Sequence, residues 1–80
     1  MVKGNEIQKA LGKTVRELRL ANNLSQEKLA ELASLDRSYI SEVENGNKTA
    51  SIITVFKIAV ALDIKPSQLL QKMEEYFEFN

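Results

Sequence analysis

The sequence predicts an all-α fold of five short helices, and three observations predict it. Apolar residues recur at intervals of three and four along five separate stretches, the spacing of one helix face. Residues that open helices stand at the head of four of these stretches: Ser25, Asp36 and Ser51 as N-caps and Pro66 at a first helical position. Residues that close helices follow others, with Asn22-Asn23 after the first and Gly46 after the third. The 80 residues amount to a single domain with a modest core, and a domain so small leans on staples or partners.

The first helix is predicted from Glu6 to about Asn22, with Asn5 as N-cap and Ile7, Leu11, Val15 and Leu18 as its apolar face. Its other side carries Lys9, Lys13 and Arg16, read as a solvated face, with a phosphate contact from Lys13 or Arg16 as the sharper alternative. The second helix, Gln26 to Ala33, turns Leu29, Ala30 and Ala33 inward and Glu27 and Glu31 outward. After Ser34 and Leu35 a third helix runs to Asn45. At about 100° per residue, Ile40 and Val43 point inward and Arg37, Ser38 and Ser41 span an outward polar arc, with Tyr39 and Glu42 at its edges. The fourth helix follows Ser51 and reaches about Leu62, with Ile52, Val55, Phe56, Ala59 and Leu62 expected in the core. Ile53, Phe56 and Val60 form a second apolar strip of the kind that marks an interaction surface. The fifth, about Pro66 to Tyr76, offers Leu69, Leu70, Met73, Tyr76 and Phe77, with Leu70 expected in the core.

Composition narrows the function. The chain has no Cys and no His, which excludes disulfides, thiolate catalysis and zinc sites of Cys/His type. The glycines at 4, 12 and 46 are scattered and form no phosphate-cradling loop, and no nucleophile–base pair is present. The expectation is a protein that is not an enzyme and uses no cofactor or metal. No apolar run approaches membrane-spanning length and the N-terminus lacks a signal-peptide core, so a cytoplasmic protein off the membrane is expected. Net charge is zero, against the basic balance usual for a nucleic-acid binder. The charge is uneven: residues 1–62 carry nine Lys and Arg against seven Asp and Glu, and residues 63–80 two against four.

Ser25-Gln26-Glu27, Leu29-Ala30, Ile40-Ser41 and Glu44-Asn45-Gly46, at their fixed offsets, resemble the helix-turn-helix of the phage lambda repressor and Cro class, the Xre family. The likeness runs from about Leu11 to Leu70. Within the family, Leu35-Asp36-Arg37-Ser38-Tyr39-Ile40-Ser41 looks most like the small controller proteins of restriction–modification systems. The resemblance implies a compact lambda-repressor-like domain, with the second and third helices as the helix-turn-helix. It implies a homodimer that binds a near-palindromic double-stranded DNA site and regulates transcription. An antitoxin or a phage or plasmid repressor shares the motif, and a protein-interaction module that keeps the fold without DNA is the rival of another class.

Site residues follow from the arc and the resemblance together. Arg37 suits bidentate bonding to guanine, and the hydroxyls of Ser38 and Ser41 are tolerant base readers. Gln26, at the positive end of the second helix, suits a phosphate, as does the Tyr39 hydroxyl, whose plainer reading is packing. The resemblance lays the loop Asn47, Lys48 and Thr49 along the DNA backbone, and pairs Arg19 with Glu44 to brace the first helix against the third. Glu42 is expected to pair with a nearby cation or face solvent, with acceptance from a cytosine amino group as the sharper alternative. The family favours glycine where Ser34 stands, a position that wants positive φ and costs serine about 1–2 kcal/mol. Leftover apolar area and family behaviour place Ile53 and Val60, with some of Leu69, Met73, Tyr76 and Phe77, at a dimer contact; a C-terminal tail folded back over its own domain is the alternative. In lambda-type repressors, acidic residues on the second helix touch RNA polymerase, which would make Glu27 and Glu31 an activating patch; a solvated face is the plainer reading.

Overall fold

The computed structural model describes residues 2–77. Its elements are α1 (Gly4–Ala21), α2 (Gln26–Ala33), α3 (Arg37–Glu44), α4 (Ile52–Ala61) and α5 (Pro66–Glu74), with no strand among the described residues. No helix there is long and apolar enough to cross a membrane. The helices close a ring around one core, out of chain order: α1 lies on α3 and α5, α2 on α3 and α4, and α4 on α5. Val15, Leu29, Ile40, Ile58 and Leu69 are fully buried at its centre, one from each helix.

The helix ends follow local chemistry. Ser25 Oγ accepts from the Lys28 N–H at 3.0 Å, and Ser51 Oγ from the Thr54 N–H at 3.1 Å. Asp36 occupies the N-cap of α3 without a side-chain bond to the helix. Asn23 and Ser34 both take left-handed backbone at φ 56. At Ser34 this turns the chain so that the Leu35 N–H reaches the Ala30 carbonyl at 2.9 Å. Gly46, at φ +76, ends α3, and the Asn47 N–H then donates to the Glu42 carbonyl at 3.0 Å. The loop therefore leaves α3 in a defined direction.

Several expectations are corrected. The first helix is capped at Lys3 rather than Asn5, and Ile7 is exposed. In α4 the inward face is Val55, Ile58 and Ala59, continued by Leu62, while Ile52 and Phe56 are exposed. Only Thr54 and Lys57 are polar in this helix, so its period leaves the choice of stripe open, and contact with α2 and α5 decides it. In α5 the inward pair is Leu69 and Met73, one turn apart, and the neighbouring Leu70 is turned out.

Gly12 is buried in the middle of α1, where glycine costs a helix about 1 kcal/mol relative to alanine. A Cβ at this position would stand 2.4 Å from the Val43 carbonyl oxygen and 2.7 Å from that of Glu44. The glycine lets α1 press directly on the backbone at the end of α3. Gly12→Ala is therefore expected to lower stability by about 1–3 kcal/mol despite its gain in helix propensity. Urea unfolding checks this, and a midpoint unchanged or raised would show that α1 and α3 do not meet so closely.

Candidate nucleic-acid interface

The back of α3 is fixed by burial and by one carboxylate. Ile40 and Val43 lie in the core, 0% and 1% exposed. Glu44 Oε2 accepts from Arg19 Nε at 2.6 Å and Glu44 Oε1 from Arg19 Nη2 at 3.0 Å. Gln26 Nε2 adds a third bond to Oε1 at 3.1 Å, and Arg19 Nη1 donates to the Leu24 carbonyl at 2.8 Å. The side chains of Arg19 and Glu44 retain 10% and 1% of their exposure. The hydrogen bond to Glu44 holds the Arg19 guanidinium above its ordinary pKa, against the opposing effect of burial. One acid thus ties α1 and α2 to α3.

The front of α3 is open. Arg37 and Ser38 are exposed and Ser41 is half-buried. Arg37 has no ion-pair or hydrogen-bond partner for its side chain among the described residues. Beside this arc stands a small cluster. Lys48 Nζ lies 3.0 Å from Glu42 Oε2 and 5.7 Å from the centroid of the Tyr39 ring. Asn47 and Thr49 are exposed, and Thr49 Oγ1 accepts from Gln8 Nε2. Of the loop residues, Lys48 is thus brought alongside the helix front, whereas Thr49 is tied to α1. Gln26 is not: its amide is turned to Glu44, so its side chain supports α3 from behind rather than standing out for a phosphate. The backbone N–H groups at the head of α2 remain at the surface end of that helix.

Asn45 was not singled out from the sequence, yet it is exposed and continues the same arc. At about 100° per residue it falls between Ser41 and Ser38, so the periodicity carried the signal. Its obvious role in ending the helix masked it.

The expected dimer residues separate into two groups. Ile53 and Val60 are 67% and 71% exposed and run together with Phe56 and Leu32 on one side of the molecule. A shallow depression of ≈ 310 Å³ lined by Leu32, Ala33, Ser34, Phe56, Lys57 and Val60 adjoins this strip. Leu69 and Met73 are corrected: both are buried in the core of their own chain and are out of reach of a partner. Phe77 is half-buried against the same core. Tyr76 is engaged within the chain, its hydroxyl donating to Glu17 and its ring 5.6 Å from Lys13 Nζ. The bond to Glu17 raises the phenol pKa above its ordinary value.

Comparison with known proteins agrees with this geometry. The helix-turn-helix family model HTH_3 matches residues 15–69. The control protein C.BamHI of Bacillus amyloliquefaciens is 43% identical over 67 residues, which span 82% of this chain and 83% of that protein. The chain belongs to the control proteins of the helix-turn-helix family. Another control protein, C.SmaI of Serratia marcescens, is 39% identical over 67 residues, 84% of this chain and 80% of its own. The crystal structure of the restriction–modification controller C.AhdI from Aeromonas hydrophila superposes with a TM-score of 0.75 at 48% identity, covering 78% of this chain and 94% of that one.

For this control protein, losing either member of the Arg19–Glu44 pair strands a buried charge, at a cost of about 3–5 kcal/mol. Arg19→Met and Glu44→Met are each expected to lose stability of that order, and the double variant to recover part of it. Urea denaturation of the four proteins as a double-mutant cycle checks the coupling, and fully additive losses would refute it.

Proposed function

We propose that this control protein is a sequence-specific double-stranded DNA-binding regulator of transcription, acting as a homodimer on a near-palindromic operator. The observation that carries the reading is Arg37, without a partner among the described residues, at the head of a helix immobilised from behind. Such a helix fits the major groove, where arginine forms two hydrogen bonds to guanine O6 and N7. Ser38 and Ser41 lie further along the arc and bond either donors or acceptors. Tyr39 and Lys48 border the arc and, with Asn47 and Thr49 of the same loop, suit phosphates, and the amide end of α2 suits a phosphate as well. A related controller, C.Esp1396I, has been solved as a tetramer on its natural 35 base-pair operator; its chain is 23% identical, with a TM-score of 0.82.

The apolar strip of Ile53, Phe56 and Val60 is the proposed two-fold contact, since an isologous interface needs one self-complementary patch. Two α3 helices then enter successive major grooves about 34–36 Å apart. A chain with zero net charge has little long-range pull on DNA. Binding therefore depends on two subunits engaging together, and regulation follows protein concentration. No catalytic step is involved, and the protein works in the cytoplasm with its DNA.

The test is a gel shift at stated salt against duplexes enriched by the protein from a random-sequence library. Arg37→Ala is expected to cost about 1–3 kcal/mol of discrimination at one G·C pair per half-site. Uniform weakening on all sequences would place Arg37 on the backbone instead. Val60→Asp is expected to shift the protein from dimer to monomer in sedimentation experiments and to weaken operator binding in step. A dimer that persists would move the contact off α4.

A further inference from the structure

We propose that Glu42 is a specificity-determining residue, which keeps Lys48 from a phosphate unless a base-edge amino group takes over its carboxylate. The inference rests on the DNA-binding reading above. Lys48 borders the reading arc, yet its ammonium is already held 3.0 Å from Glu42 and 5.7 Å from the Tyr39 ring centroid. The two side chains are 43% and 49% exposed, so the pair is open to an incoming duplex and adds little to the fold. Glu42 also lies one turn beyond Ser38 on α3, so docking the helix carries its carboxylate toward the base edges.

The major groove presents mostly acceptors: N7 and O6 of guanine, N7 of adenine and O4 of thymine. Phosphates on either side are acceptors too. A carboxylate finds a donor there only in an amino group, and that of cytosine is its usual partner. On a mismatched sequence the protein has two poor options. Lys48 stays with Glu42 and a phosphate contact is lost, or Lys48 leaves and the acid is stranded among acceptors. On a sequence with the amino group in place, both charges are satisfied at once. Glu42 therefore lowers affinity for arbitrary DNA more than for the operator, and the sequence requirement follows from a charge at the edge of the arc as well as from Arg37.

The test compares wild type, Glu42→Gln, Glu42→Ala, Lys48→Ala and the Glu42→Gln/Lys48→Ala double variant. Two probes are used over a salt series: the duplex enriched from a random library by the wild type, and sheared mixed-sequence DNA. Glu42→Gln and Glu42→Ala are expected to tighten binding to mixed DNA about five- to tenfold and to steepen its log–log salt slope by about 1, the signature of one more phosphate contact. Binding to the enriched duplex weakens, because its amino group loses the carboxylate. In the Lys48→Ala background most of the gain on mixed DNA disappears. Equal melting temperatures show that the fold is intact. Equal changes on both probes, an unchanged slope, or a gain that survives Lys48→Ala would overturn the inference. A wild type that enriches no duplex at any salt overturns the regulator reading itself.

Discussion

The carboxylate of Glu44 is the fixed point of this molecule. Burial of Ile40 and Val43 holds α3 to the core, but apolar contact alone is non-directional and permits a helix to slide or roll. Glu44 removes that freedom, because three donors from two other helices converge on it: Nε and Nη2 of Arg19 on α1 and Nε2 of Gln26 on α2. An arrangement of this kind has one rotation and one register in which every bond is made. Gly12 sets the remaining variable, the distance, by letting α1 rest on the carbonyls of Val43 and Glu44. Both devices cost intrinsic stability, one through desolvation and one through helix propensity. What they secure in return is position.

Position matters because the front of α3 carries few charges. The chain as a whole is neutral, so binding draws little from the general attraction between a basic surface and DNA. The proposed function then depends on short-range geometry: Arg37 free at the leading end, hydroxyls behind it, and Lys48 balanced by Glu42 at the border. A loosely seated helix would spread Arg37 over several base pairs and lose its bidentate fit. The neutral charge, which at first argued against a nucleic-acid binder, is compatible with one whose affinity is reserved for matched sites.

Much of the local backbone chemistry was legible in the sequence, though not the start of α1 at Lys3, and lateral packing was not. Positive φ at Ser34 was implied by the family resemblance, whereas Ser25 and Ser51 as caps and the stop at Gly46 follow from what one residue does to its own neighbours. The inward face of α4 does not, because its apolar residues go nearly all the way round and the neighbouring helices choose between equivalent stripes. Leu69 and Leu70 pose the same problem in two residues. Gly12 was unreadable for a different reason: a glycine inside a helix signals close approach only once the partner backbone is known. The Arg19–Glu44 pair, 25 residues apart, came from family resemblance rather than from spacing. The bond from Gln26 to the same acid went unseen, since the head of a helix already offered that amide a phosphate.

The stripe that α4 selects has a consequence on its opposite side. With Val55, Ile58 and Ala59 inward, Ile52 is among the apolar residues of α4 left exposed, as are Ile53, Phe56 and Val60. They lie together with Leu32 of α2, and α2 in turn packs on both α4 and α3. In the proposed dimer, the contact strip and the reading helix are therefore linked through a single intervening helix whose own ends are capped and whose Gln26 touches Glu44. So short a path leaves little slack. The separation of the two α3 helices would be set by the same packing that seats each of them, which would make half-site spacing as much a property of the fold as the proposed base preference is of Arg37.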